Sequence, residues 1–151
     1  MWVEGNHDPD LPDGIPGTPC FEIVLDNMVF RHEVETSETR AQVIGHYHPK
    51  KRTTITRRRY SGKCFTNNEN VFVMPAFGQF TGGLDIDEEV MLTLLPKRSR
   101  QVFMLYDNII FKVWTTKMGS EYISTAAELK KGSEYILWHR FVSENVHWPH
   151  L

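Results

Sequence analysis

Gly45-His46-Tyr47-His48-Pro49 follows the apolar run Ala41-Gln42-Val43-Ile44 and runs into the basic Lys50-Lys51-Arg52. Strand side chains alternate, so two histidines one residue apart at the end of a β-like segment are expected to project to the same side. Both imidazoles can then serve one metal centre. By spacing alone, most such pairs are surface or core residues. This pair stands out because of its company: Gly5-Asn6-His7-Asp8 lies near the start, and Arg31-His32 closes another apolar run, Met28-Val29-Phe30.

The chain has 151 residues, of which 40% are hydrophobic and 24% charged, with a formal net charge of −2. That length fits one domain with a sizeable core. No apolar stretch approaches the roughly 20 residues of a membrane span, and no signal peptide is visible, so a cytoplasmic protein without membrane contact is expected. Two cysteines, Cys20 and Cys64, do not make a disulfide framework and read as reduced, packed thiols. A near-neutral balance exerts no global pull on nucleic acid, so any basic surface must be local.

Met1-Trp2-Val3-Glu4 reads as the end of a strand running into Gly5-Asn6-His7-Asp8. Such a strand needs neighbours on both sides, which suggests further sequence upstream. Residues 9–19 hold four prolines and two glycines and read as irregular loop. Cys20 to Leu25 and Met28 to His32 form a plausible hairpin about an Asp26-Asn27 turn, and 33–40 is a polar loop. Thr53-Thr54-Ile55-Thr56 has β propensity within a basic stretch, 61–70 reads as loop, and Val71-Phe72-Val73-Met74-Pro75 as a buried strand. Val90 to Leu95, Gln101 to Tyr106 and Ile109 to Trp114 complete the strands, the last two joined at Asp107-Asn108. In the tail, Gly119-Ser120-Glu121-Tyr122-Ile123 recurs as Gly132-Ser133-Glu134-Tyr135-Ile136, thirteen residues on, too short a period for a solenoid. Thr125-x-x-Glu128 matches a capping box, and Tyr135 to Val142 has helical apolar spacing, so the tail is expected to be helical. His139, His147 and His150 read as scattered tail residues.

Metal-assisted phosphate ester hydrolysis needs neutral imidazoles and hard oxygens around divalent ions, often two of them. Asn6 offers a carbonyl oxygen, and His32, His46 and His48 offer ring nitrogens; all four sit where an apolar segment gives way to loop. His7 is placed to reach a leaving-group oxygen, with Asp8 to orient it. The alternative is that Asn6 makes a turn, His32 packs, and His46 and His48 are solvated.

Gly5-Asn6-His7-Asp8, then His32, then Gly45-His46-x-His48 resemble, in order, the closing motifs of calcineurin-like metallophosphoesterases. The run Met74-Pro75-Ala76-Phe77-Gly78-Gln79-Phe80-Thr81-Gly82-Gly83, after Cys64-Phe65 and Val71-Phe72-Val73, is similar to the bacterial DNA ligase-associated branch, thought to act in DNA damage repair. The resemblance covers about residues 1–116 and leaves 117–151 as a tail without a family counterpart. It implies an α/β fold, of which this chain keeps the C-terminal, β-rich half of a two-sheet sandwich. It also implies two divalent metal ions, manganese by family, with Asn6, His32 and His46 on one ion and His48 on the other. His7, aided by Asp8, would be the acid or transition-state stabiliser. The family's Asp-x-His and Gly-Asp motifs, including the carboxylate that bridges the metals, do not precede Gly5 here. The expectation is therefore a truncated or split half that requires a complementing N-terminal half, with DNA and the ligase or helicase of a repair system as partners by family.

The basic run Lys50, Lys51, Arg52, Arg57, Arg58, Arg59 and Lys63 has two readings, a nucleic-acid contact or an edge strand that uses cations against aggregation. Phe77 and Phe80 either stack on a nucleobase or, as is commoner for Phe beside Gly, pack in the core. Three functional classes stand: a phosphodiester hydrolase of nuclease type, a non-catalytic nucleic-acid-binding fragment, and an inactive decayed gene product.

Overall fold

The computed structural model describes residues 1–6, 14, 16–78, 80–115, 119 and 121–128. The elements in chain order are β1 (Trp2–Val3), β2 (Pro19–Cys20), β3 (Glu22–Leu25), β4 (Met28–Arg31), β5 (Ala41–Ile44), β6 (Lys50–Ile55), β7 (Arg58–Asn67), β8 (Val71–Val73), α1 (Glu89–Leu94), β9 (Gln101–Tyr106), β10 (Ile109–Thr115) and β11 (Glu121–Glu128). Strands β1 and β2 pair in parallel as a two-stranded sheet. The others form one large mixed sheet in the order β11-β10-β9-β7-β8-β5-β4-β3, with β6 on the other side of β7's first half. The chain is therefore β-rich with a single short helix among the described residues, the β-rich half of a sandwich.

The middle of the sheet is its most apolar part. Strands β4, β5 and β8 run parallel, and Val43, Ile44, Val71, Phe72 and Val73 are all buried. Burial on both faces is the usual condition of parallel strands. Alternation divides them: Val43 and Phe72 pack on one face with Phe30 and Phe65, while Ile44, Val71 and Val73 face Met91 and Leu95 at α1. Each fully buried side chain of this kind contributes about 1.5–3 kcal/mol. Three two-residue hairpin turns, those at Asp26-Asn27 and Asp107-Asn108 expected from the sequence, share one geometry. Asp26-Asn27, Thr56-Arg57 and Asp107-Asn108 all hold positive φ at both central positions, the twist that two-residue hairpins require.

Three expectations give way. The expected strand Val90 to Leu95 falls instead on helix α1 and its C-cap Leu95: Met and Leu favour helix, Glu89 sits favourably in the first turn, and burial falls on Met91 and Leu95, four residues apart. Residues 61–67 are strand, not loop. Their polar composition hides an alternation that buries Cys64 and Thr66, and Thr66 Oγ1 donates to the Gln101 carbonyl at 2.9 Å. The described part of the tail, Glu121–Glu128, is strand β11, antiparallel to β10, where the capping-box match suggested a helix. Trp114 and Tyr122 stand opposite one another in that register, stacked 6.2 Å apart, so cross-strand packing outweighs the local signal. Residues 129–151, with His139, His147 and His150, lie outside the described residues.

A buried ionic cluster ties β11 to the rest. Lys51, only 2% exposed, donates to Glu121 Oε1 at 2.7 Å and to Asp87 Oδ2 at 3.1 Å. Thr53 Oγ1 donates to Glu121 Oε2 at 2.6 Å, and Arg100 donates to Asp87 Oδ1 at 2.5 Å. Burial alone would lower the Lys51 pKa, but the bonds to Glu121 and Asp87 raise it above the ordinary lysine value. Burial likewise opposes ionisation of Asp87, yet Arg100, Lys51 and Lys97 hold its carboxyl well below the usual range. Cys20 and Cys64 are free thiols, and burial pushes the Cys64 pKa up. No helix among the described residues is long and apolar enough to cross a membrane.

Candidate metal centre

The candidate site is built by the parallel register of β4 and β5. Arg31 pairs with Ile44, the last residue of each strand, so the chain leaves both at the same sheet edge. The His32 carbonyl then accepts from the backbone N–H of Gly45 at 3.2 Å and of His46 at 3.0 Å. Two imidazoles fourteen residues apart are thereby held side by side, at the carboxyl ends of parallel strands where open sheets place their ligands. Strand β8 ends beside them, with Met74 N donating to the Ile44 carbonyl at 2.8 Å.

Asn6 enters from the loop after β1. Its Oδ1 lies 2.8 Å from His32 Nε2, and His32 Nε2 lies 3.0 Å from His46 Nδ1. A Cβ at Gly5 would come within 3.2 Å of the His32 ring, so the residue before Asn6 must be small for the loop to approach this closely. The structure brings together Asn6, His32 and His46.

The donor chemistry suits a cation. A neutral imidazole nitrogen either carries the ring's one proton or presents a lone pair. His32 Nε2 faces an oxygen acceptor on one side and a second ring nitrogen on the other, so its proton can satisfy one of them well. Two ligands at right angles on an ion with 2.1 Å bonds lie about 3.0 Å apart, the separation seen here. The residues fit a divalent metal.

Glu33 joins them. Its Oε1 is 3.4 Å from His46 Nδ1, and donor atoms of His32, Glu33 and His46 all fall within 4.8 Å of one another. In the sequence Glu33 is one acid of a polar loop, and its only signal is its place immediately after a candidate ligand. Tyr47 sits edge-on to the His46 ring at 5.2 Å, and burial first, then the charge of Glu33, raises its pKa.

His48 stands outside this trio. The expectation that His46 and His48 project alike from a strand fails, because β5 ends at Ile44, 46–47 form a turn and His48 has φ +47°. With His46, Tyr47, Gly83, Leu84 and Val90 it lines an open depression of about 360 Å³. A Cβ at Gly83 would meet the His48 carbonyl oxygen at 2.0 Å, so glycine there lets the two segments close up. His7, Asp8 and Gln79 lie outside the described residues.

The basic run does not act as one surface. Lys51 is buried in the ionic cluster. Lys50 Nζ reaches the Thr81 carbonyl at 3.4 Å, and Lys63 Nζ donates to the carbonyls of Ala76 and Gly78 at 2.8 and 2.6 Å. Both thus pin the loop after β8. Arg52 lies 3.5 Å from Asp85 and is exposed, and Arg57, Arg58 and Arg59 are exposed at the β6–β7 hairpin. On the pinned loop Phe77 is 70% and Phe80 97% exposed, so neither is a core residue.

Among solved structures, the chain is similar to nuclease MPE of Pseudomonas putida, with a TM-score of 0.55 and 28% identity over 73% of this chain and 51% of that one. Its likeness is to a nuclease. The chain spans about half the length of that nuclease. No family model matches the chain, and no curated protein matches it.

Proposed function

We propose that the chain is part of a metal-dependent phosphoesterase of nuclease type, hydrolysing phosphodiesters in DNA repair, in the DNA ligase-associated branch of the calcineurin-like metallophosphoesterases. The observation that carries this reading is the convergence of Asn6 Oδ1, His32 Nε2 and His46 Nδ1 at 2.8 and 3.0 Å, on a scaffold similar to a nuclease. Asn6, His32 and His46 would hold one divalent ion, manganese in this reading, and His48 in the adjoining depression a second. Bound there, such ions supply Lewis acidity that activates water and offsets charge on the phosphate oxygens. The chain's own contributions are orientation and proton transfer: the backbone bonds to the His32 carbonyl hold the two histidines side by side, and His7, with Asp8, would supply the proton to the leaving oxygen.

Amide and imidazole donors leave two neighbouring dications with little compensating charge. The reading therefore includes a complementing N-terminal half carrying the Asp-x-His and Gly-Asp carboxylates. Co-expression with such a half is expected to give an assembly holding about two manganese ions that cleaves bis-p-nitrophenyl phosphate, with His46→Ala abolishing turnover. An assembly in which cleavage is indifferent to manganese and to His46→Ala would remove the enzyme reading.

A second reading, a non-catalytic nucleic-acid-binding fragment, is favoured by three exposed consecutive arginines at the hairpin and by the exposed Phe77 and Phe80. It requires salt-dependent DNA binding without any metal requirement.

A further inference from the structure

Three features of Glu33 set it apart from the other acids of its loop. It follows His32 directly, so the backbone bonds that seat His32 beside His46 also seat Glu33. Its loop is held: buried Gln42 accepts from the Glu35 N–H at 2.9 Å and donates to the Glu35 carbonyl at 3.0 Å, which keeps the segment leaving His32 against β5. And its carboxylate approaches the ring nitrogen that matters. Oε1 lies 3.4 Å from His46 Nδ1, the same nitrogen that faces His32 Nε2 at 3.0 Å. A carboxylate that merely oriented a ligating histidine would approach the ring nitrogen turned away from the ion. Glu33 instead approaches the shared donor locus.

We infer that Glu33 is a ligand of the same ion as Asn6, His32 and His46, and the anionic member of that set. The inference rests on the metal-centre reading above and adds to it a residue that the motif resemblance does not include. Its chemistry is specific. Asn6 and two neutral imidazoles bring no charge to a dication, whereas one carboxylate halves the uncompensated charge and adds a hard oxygen of the kind that manganese and magnesium favour. Within this chain Glu33 would then be the donor that makes the half-site selective for a hard divalent ion rather than for any imidazole-binding metal.

The test uses the whole 151-residue chain and manganese alone, counting bound ions by the loss of the free-ion paramagnetic resonance signal. The Glu33 side chain is 61% exposed, so substitutions are expected to leave the circular dichroism spectrum unchanged. Glu33→Gln, which keeps the shape and removes the charge, is expected to weaken manganese binding by more than the roughly 10- to 100-fold that loss of a merely orienting partner costs. Glu33→Asp should retain part of the affinity, and His46→Ala should lose nearly all of it. If Glu33→Gln binds like the parent while His46→Ala does not, Glu33 is no ligand and the centre stands without it. If the parent binds no manganese, or His46→Ala binds as the parent does, the metal-centre reading and the Glu33 assignment fall together.

Discussion

At the scale of single residues, the candidate ligands legible in the sequence are those that chemistry restricts. Asn6, His32 and His46 each mark the point where an apolar run gives way to loop, the place where scaffolds carry functional side chains. Glu33 and Lys51 were not legible, because an acid in a polar loop and a lysine in a basic run each have an ordinary solvated reading. Only the fold shows that one faces a histidine pair and the other is buried. Gly5 belongs with the candidate ligands, whose approach it permits. Gly5→Ala would press a methyl group to within 3.2 Å of the His32 ring and is expected to weaken manganese binding several-fold while leaving the urea midpoint nearly unchanged. Lys51→Met acts in the opposite way. It leaves Asp87 and Glu121 without their shared cation, at an expected cost of about 3 kcal/mol in urea unfolding, with no change in metal stoichiometry.

At the scale of elements, the strands visible in the sequence were those with apolar runs or explicit turns, such as β5, β8 and the β9–β10 pair about Asp107-Asn108. The second half of β7 and strand β11 were hidden. The second half of β7 mixes polar residues into its run and pairs with β9, far along the chain, while β11 pairs with the adjacent β10 through cross-strand contacts that a capping-box match does not register. The ionic cluster between β6, β11 and the loop before α1 carries a pH signature. Asp87 has a depressed folded pKa, so its contribution is complete above its ordinary value of 3.8 and is lost as pH falls below it. Lys51 has a raised folded pKa, so its contribution is complete below 10.5 and is lost as pH rises through its folded value. The stability gap between the parent and Lys51→Met is therefore expected to be widest between these limits and to narrow above pH 10.5, as read from urea midpoints. The β6–β7 hairpin has its own test. If Arg57, Arg58 and Arg59 contact DNA phosphates, changing all three to Ala should reduce the slope of log affinity against log salt by about 2 to 3. An unchanged slope would leave them as charges that keep an exposed hairpin from pairing with other chains.

At the scale of the whole molecule, three parallel strands, β4, β5 and β8, end at one edge, and the loops leaving them carry His32, Glu33, His46, His48 and the Phe77–Phe80 segment. That convergence was foreseeable only in outline, since the order of motifs suggests a common site but not which strands are neighbours. The chain covers 51% of the nuclease it resembles, and in the two-metal reading addition of an N-terminal half is expected to raise manganese stoichiometry from about one to two per assembly. Phe77 and Phe80, held at the same edge by Lys63, give that assembly a testable substrate contact. Replacing both by Ala should weaken binding of unpaired DNA more than of duplex, because stacking needs an accessible base face.

The bond from Glu121 to Lys51 bears on how the protein can be trimmed for study. All the proposed ligands lie within the first 48 residues, which invites expression of a shorter version ending near 116. Such a version would strip a buried ammonium of one of its two carboxylates and bare the open flank of β10. It is expected to precipitate or self-pair through that flank, whereas one retaining 121–128 should stay monomeric at equal concentration.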